Sequence, residues 1–100
     1  MPTKLDPNPA NIDPRAITSE RLLNAASEPD NWLTHGRTYL EQRHSPLTQI
    51  NKDTLARLAP AWFFEFDTNR GQEATPLVAD GVIYTTSAWS KAYALNAATG

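Results

Sequence analysis

The sequence predicts a mainly β fold that follows an N-terminal extension with short helices. The pattern changes from helical to β near Pro60. Beyond Pro60, apolar residues recur at every second position, which is the period of a half-buried strand. Asp80-Gly81 then separates two short apolar runs. This dipeptide is typical of a type I′ hairpin turn, in which both central residues need a positive φ. Before Pro60 the chain is more polar, and its apolar residues have helical spacing.

Two short helices are predicted in the extension. Thr18 is placed to cap a helix over 19–27, with an apolar stripe of Leu22, Leu23 and Ala26. Pro29 disfavours helix at the residue before it and should end this element.

The second predicted helix spans 51–58, with Asn51 as its N-cap. Ile50 and Leu55 occupy the positions that form a hydrophobic staple. Pro60 requires the helix to stop before it.

Four strands are predicted, at 62–66, 74–79, 82–87 and 91–95. In the first, Trp62, Phe64 and Phe66 share one face, and burial of Trp62 should be worth about 3 kcal/mol. The last three form an antiparallel meander, whose spacing suits a sandwich, a barrel or a propeller blade. Trp89 falls in the turn between the last two strands, and its role is left open.

Composition narrows the classes of function. One hundred residues suffice for one small domain. Nine basic and eleven acidic residues give a net charge of −2, which favours neither nucleic acid nor an anionic membrane as partner. There is no cysteine, and no apolar run approaches the ~20 residues that span a bilayer. The start of the chain shows no signal-peptide apolar segment. The predicted domains are 1–59 and 60–100.

Polar residues in the extension give no clear site. His35 and His44 are too far around a helix to share a metal ion, so surface or capping roles are predicted. Arg37, Glu41 and Arg43 are interpreted as a solvated, ion-paired face of little energetic value. No nucleophile–base pair and no phosphate loop is visible.

Three blocks of sequence resemble a known family. These are WLTHGRTYLEQRHSPL at 32–47, PAWFFEFDT at 60–68, and 70–100 with its RGQEATP and TTSAWSKAYALNAATG runs. In this order they resemble the N-terminal part of pyrroloquinoline-quinone (PQQ)-dependent alcohol dehydrogenases, closer to the ethanol and quinohaemoprotein types than to the methanol dehydrogenases. The resemblance implies an eight-bladed β-propeller of four-stranded antiparallel blades.

The resemblance also places the strands within a partial propeller. The strands at 74–79, 82–87 and 91–95 would be the inner three of the first blade, and the fourth would begin after Gly100. The strand at 62–66 would be the outer strand of the blade that closes the ring, without neighbours in these 100 residues.

A turn sequence that is typical of this family supports the placement of the strands. Ala94, Thr99 and Gly100 match the tryptophan-docking form Ala-x-Asp-x-x-Thr-Gly-x-x-x-Trp. Asn96 stands where the form has Asp, and an Asn side chain can make the same turn hydrogen bond.

Glu73 is the predicted cofactor-binding residue, because it matches a family residue that contacts the quinone. Gly71 is expected to let the backbone turn tightly before the strand. Without the flanking motif, Glu73 would be interpreted as a solvated carboxylate at a strand start.

The implied reaction is oxidation of a primary alcohol to an aldehyde, with removal of a hydride and a proton in the periplasm. In the family, Ca²⁺ or a lanthanide polarises the quinone and an aspartate acts as base, and a cytochrome is the typical electron acceptor. These metal ligands and the base come from later blades, so no catalytic or metal residue is predicted here. Whether a haem c domain follows is left open.

Two alternatives remain: a non-catalytic tryptophan-docking scaffold, as in outer-membrane assembly lipoproteins, and an inactive remnant. The Glu73 motif and the block at 32–47 favour the enzyme, and a lipoprotein would need a cysteine. The 100-residue chain alone is predicted to be inactive.

Overall fold

The computed structural model describes residues 15–100, and in this range the fold is mainly β. Helix α1 spans Ser19–Leu23 and is followed by a 3₁₀ turn. The strands are β1 (Leu77–Ala79), β2 (Val82–Ser87) and β3 (Lys91–Asn96). The 3₁₀ turns lie at Ala25–Ser27, Leu55–Arg57 and Ala88–Ser90.

Helix α1 is shorter than predicted. Thr18 caps it as expected, because its Oγ1 accepts a hydrogen bond from Arg21 N at 3.1 Å. Asn24 then donates its side-chain amide to Glu20 O, a local bond that competes with continued helix. The 3₁₀ turn that follows rotates Ala25 into the core. Ala26 and Leu23 are exposed, so the predicted stripe is wrong at these two positions.

The second predicted helix forms only the 3₁₀ turn Leu55–Arg57. Asn51 Oδ1 accepts from Asp53 N and Thr54 N at 2.9 and 3.2 Å, so the local cap is present. Ile50 and Leu55 stay 64% and 58% exposed, so no buried staple forms. Because short helices depend on packing for stability, one turn is all that this segment supports.

The sheet has the order β1-β2-β3 with antiparallel pairing throughout. Asp80 and Gly81 have φ of 52° and 81°, which confirms the type I′ prediction. Strand β1 begins at Leu77 instead of residue 74, and Pro76 just before it has no N–H for a ladder. Strand β3 continues one residue further than predicted, to Asn96.

The extension covers the free edge of β1. Trp32 and Val78 exchange two backbone hydrogen bonds, at 2.8 and 2.9 Å. One step along, Asp80 N donates to Asn31 Oδ1 at 3.0 Å. A strand edge that would otherwise be open is therefore protected by the chain itself.

An ion-pair cluster joins α1 to the hairpin turn. The Arg21 guanidinium lies 2.8 Å from Glu28 Oε1 and 2.6 Å from Asp80 Oδ1. Hydrogen bonds from Arg21 hold the pKa of both carboxyl groups below their usual values. This cluster and the Trp32 bridge fix the extension against the sheet.

Residues 62–66 join no ladder among residues 15–100. Trp62 and Phe66 are half-buried, but Phe64 is 38% exposed, so the predicted alternation in burial holds only in part. Trp62 Nε1 donates to Ala97 O at 2.9 Å. Phe64 and Phe66 meet the Tyr93 ring edge to face, at centroid distances of 5.7 and 5.0 Å. The prediction that this stretch has no neighbours is therefore wrong for its side chains, which reach β3 although the backbone does not pair.

The turn after β3 has the predicted geometry. Asn96 Oδ1 accepts from Ala98 N and Thr99 N at 2.9 and 3.1 Å. Gly100 has a φ of 78°, and an added Cβ there would lie 2.6 Å from the Trp62 ring. Asparagine thus replaces aspartate in this turn without loss of its hydrogen bonds. The absence of a side chain at Gly100 leaves room for the Trp62 indole.

Candidate functional site

Glu73 lies in an irregular segment, residues 71–76, that leads into β1. Its side chain is exposed and has no hydrogen-bond partner among residues 15–100. The carboxylate is therefore free to accept hydrogen bonds from a ligand. No side chain in the described part of the chain pairs with it.

Both ends of this segment reach the same end of the sheet. At that end β1 begins, β2 finishes at Ser87 and β3 begins at Lys91. The Arg70 guanidinium sits 4.9 Å from the centroid of the Trp89 ring, which places the start of the segment beside the β2–β3 turn. Glu73 is thus tethered between that turn and the first residue of β1.

Trp89 is presented to solvent by an unusual backbone. It is 76% exposed, and both Trp89 and Ser90 have left-handed φ, of 67° and 58°. Such conformations cost about 1 kcal/mol or more for residues other than glycine. The sequence alone did not reveal the Arg70–Trp89 contact, since no spacing rule links the two residues.

A polar cluster anchors the chain just before this segment. Lys91 Nζ contacts Asp67 Oδ2, and Tyr93 Oη donates to Asp67 Oδ1 at 2.9 Å. Lys91 first, and then Tyr93, lower the pKa of the Asp67 carboxyl group, while Asp67 raises the pKa of Lys91. Ser87 Oγ shares a hydrogen bond with Tyr93 Oη at 3.0 Å. The cluster fixes where the segment begins.

Gly71 does not have the role that the sequence suggested. Its φ is outside the left-handed region, and an added Cβ would meet no atom of residues 15–100 within 4 Å. In this structure a residue with a side chain would fit equally well. The requirement for glycine at this position therefore finds no support from local geometry.

The histidines are exposed as predicted, and of the residues interpreted as a solvated face only Arg37 is placed differently. His35 Nε2 lies 3.0 Å from Glu41 Oε1, and both side chains are exposed. Arg37, however, is buried, so its interpretation as part of a solvated face is wrong. Among residues 15–100, no group of three or more His, Asp or Glu side chains is arranged to hold a metal ion.

An apolar cavity of about 620 Å³ lies on one face of the hairpin. Arg70, Glu73 and Trp89 do not line it. Its walls come from the extension, β1 and β2: Arg15, Ala16, Ile17, Leu33, Leu77, Ala79, Asp80, Val82 and Tyr84. The cavity is therefore separate from the candidate site around Glu73.

Comparison with known proteins decides the family. The model of the PQQ glucose/ethanol/alcohol dehydrogenase β-propeller domain matches residues 32–100. The chain belongs to this family. No helix within residues 15–100 has the length and apolar character to cross a membrane.

Its relatives are quinone-dependent alcohol dehydrogenases. The chain is 53% identical over 92 residues to the dehydrogenase subunit of the alcohol dehydrogenase (quinone) of Acetobacter aceti, covering 92% of the chain and 12% of that subunit. It is 48% identical over 92 residues to the quinohemoprotein alcohol dehydrogenase ADH-IIG of Pseudomonas putida, covering 92% and 12%.

A solved structure agrees with the fold. The quinohemoprotein alcohol dehydrogenase ADHIIG of Pseudomonas putida HK5 matches with a TM-score of 0.81 and 48% identity, over 87% of this chain and 13% of that one. The chain therefore spans about 12% of the length of the curated relatives it matches.

Proposed function

We propose that this chain forms the opening part of the propeller of a PQQ-dependent alcohol dehydrogenase, and that Glu73 binds the quinone. The observation that carries the proposal is the match of residues 32–100 to the family's propeller domain, together with a free Glu73 carboxylate in the segment that leads into β1. A flat polar cofactor needs fixed partners for its edge groups, and a carboxylate without an internal partner supplies one.

The residues present fit such a group. Bound PQQ would accept the hydride that leaves the alcohol carbon. The contribution of this chain would be positional: Glu73 would accept hydrogen bonds from the cofactor edge, and the Asp67–Lys91 cluster holds the segment that carries Glu73. The Arg70 guanidinium lies over the Trp89 ring, which ties the start of this segment to the turn between β2 and β3.

The remaining parts of the proposed enzyme lie on residues outside this chain. They comprise the Ca²⁺ ligands, the general base and, in quinohaemoprotein members, a haem c domain. The proposed substrate is a primary alcohol, the electron acceptor is a cytochrome, and the compartment is the periplasm. The names of the relatives, alcohol dehydrogenase (quinone) and quinohemoprotein alcohol dehydrogenase, support the alcohol substrate and the haem.

The test uses a chimaera in which this chain replaces the aligned segment of the Acetobacter aceti subunit, to which it is 53% identical. We expect Glu73→Gln to reduce the PQQ retained per protein after gel filtration by at least tenfold, with an unchanged circular dichroism spectrum. Removing the charge while keeping the shape weakens a charge-assisted hydrogen bond. Glu65→Gln, at another exposed glutamate, is the matched control and should retain PQQ.

Wild-type PQQ content in the Glu73→Gln chimaera would refute the assigned role of Glu73. A folded chimaera that binds no PQQ and shows no alcohol-dependent dye reduction with PQQ and Ca²⁺ would instead favour the scaffold interpretation.

A further inference from the structure

Arg70 lies at the start of the segment that carries Glu73, and its side chain stacks on an aromatic ring. The guanidinium carbon sits 4.9 Å from the centroid of the Trp89 ring. Within residues 15–100 the guanidinium makes no hydrogen bond and no ion pair, so the indole is what holds it. A cation over an aromatic face is attracted by the negative potential of the ring. The contact therefore joins the segment to the turn between β2 and β3.

Short-range hydrogen bonds order the chain on both sides of Arg70. Its N–H donates to Thr68 Oγ1 at 3.2 Å, and its carbonyl accepts from Gln72 Nε2 at 3.4 Å. Residues 71–76 then belong to no strand or helix, and β1 begins only after them. In the described part of the chain, Arg70 is thus the last residue before Glu73 whose side chain makes a polar or cation–π interaction with another element.

The turn between β2 and β3 holds the Trp89 ring on a strained backbone. Trp89 has a φ of 67° and a ψ of 30°, and Ser90 has a φ of 58°. Left-handed conformations cost folding free energy for residues other than glycine, so the surrounding contacts must favour this arrangement. Directly after the turn, Lys91 binds Asp67, and that ion pair fixes the chain just before the segment. The ion pair and the cation–π contact therefore hold the chain at two points ahead of Glu73.

Burial contributes little to the cation–π contact. Trp89 is 76% exposed and Arg70 is exposed as well, so the pair removes little apolar surface from water. The contact fixes instead the place from which the chain enters residues 71–76. Glu73 follows three positions later, a span of at most about 11 Å for an extended chain. The position of Arg70 consequently limits where the Glu73 carboxylate can lie.

We propose that Arg70 and Trp89 form a positioning pair that holds Glu73 where the cofactor needs it, and that the pair thereby raises the affinity for PQQ. The inference rests on the proposed function of Glu73. The pair acts through the segment and not by contact with the cofactor, because it restricts the conformations of residues 71–76. A carboxylate that is already held near its bound position loses less conformational freedom on binding, which favours affinity.

The test measures PQQ binding in the Acetobacter aceti chimaera in the presence of Ca²⁺. Equilibrium dialysis of the cofactor-free protein gives the dissociation constant, with PQQ measured by its absorbance. Arg70→Gln and Trp89→Ala should each raise this constant about two- to fivefold, the size expected for an exposed cation–π contact. Because the two changes break one contact, the double variant should lose no more affinity than either alone. Arg57→Gln, at another exposed arginine, is the matched control and should bind PQQ as the wild type does.

Two further readouts separate positioning from a general structural effect. Arg70→Lys keeps the cation and Trp89→Phe keeps an aromatic face, so these variants should retain more affinity than Arg70→Gln and Trp89→Ala do. In the Glu73→Gln background, Arg70→Gln should leave the dissociation constant unchanged, because the pair then has no carboxylate to position. The circular dichroism spectrum should be the same for all variants.

Three results would overturn the inference. Wild-type affinity in Arg70→Gln and Trp89→Ala, beside weakened binding in Glu73→Gln, would reject the pair and leave the role of Glu73 standing. An undiminished effect of Arg70→Gln in the Glu73→Gln background would also reject it, because Arg70 would then act without Glu73. Wild-type affinity in Glu73→Gln itself would refute the proposed role of Glu73, and this inference with it.

Discussion

At the residue scale, single side chains decide how the turn after β3 meets the strand-like stretch at 62–66. Trp62 donates to Ala97 O, and Gly100 leaves the space that its indole occupies. Asn96 satisfies two backbone N–H groups of the same turn. The role of Asn96 in the turn could be predicted from the sequence, because an Asn side chain accepts hydrogen bonds from backbone N–H groups close by in the chain. The contact partner of Trp62 was not, since Ala97 is 35 residues away.

Trp62→Phe should destabilise the chimaera by about 1 kcal/mol or more, because the hydrogen bond to Ala97 O is lost and the smaller ring leaves part of the indole's space unfilled. Urea unfolding followed by circular dichroism measures this change. Trp89→Phe is the matched control, since Trp89 is 76% exposed, and should change stability much less. Equal effects of the two substitutions would contradict the docking role of Trp62.

At the scale of elements, α1 is held to the β1–β2 turn by the Arg21, Glu28 and Asp80 cluster. The strands and the type I′ turn followed from period and turn chemistry. The split of the first helix did not, because it depends on competition between Asn24 and the backbone. The edge contact of Trp32 with Val78 also lay beyond sequence reasoning, since no periodicity marks it.

Lowering the pH should reduce the free energy of unfolding, because the carboxylates of this cluster become protonated and lose their ion pairs. The folded pKa values of Glu28 and Asp80 lie below their usual values of 4.5 and 3.8, chiefly because Arg21 donates to both. A lowered carboxyl pKa stabilises the folded state above the unfolded pKa, and this contribution is lost as pH falls through the folded value. Arg21 has a raised pKa and stays protonated throughout this range.

The melting temperature of the chain should therefore decline below about pH 4.5. Asp80→Asn should show a lower melting temperature at pH 7 and a smaller decline between pH 7 and pH 3. The exposed Asp30→Asn serves as the control and should follow the wild type. An identical acid decline in Asp80→Asn and the wild type would rule out this linkage.

At the scale of the whole molecule, the described residues enclose little apolar core. Ala25 and Leu33 are the buried hydrophobic residues of 15–100. Many large apolar side chains are exposed instead, among them Leu40, Leu58 and Phe63. In this range the outer edge of β3 has no backbone partner, and such edges favour association.

The isolated chain should accordingly bind PQQ with no measurable affinity. Glu73 is one contact, and the other walls of a cofactor slot are absent from residues 15–100. Quenching of the three tryptophans during a PQQ titration measures binding. The chimaera is the positive control. A clear saturable titration of the chain alone would show that this prediction is wrong.

The sequence by itself determined the mainly β character beyond Pro60, the Asp80-Gly81 turn and the turn at Asn96, because each depends on residues adjacent in the chain. It also carried the family resemblance, and with it the prediction for Glu73. Tertiary structure alone decided that Trp62 docks on Ala97, that Arg21 reaches Asp80 and that Arg37 is buried. The first two contacts join residues far apart in sequence, and the third depends on how a loop closes. Neither period nor composition encodes such contacts, since they exist only after distant segments have packed together.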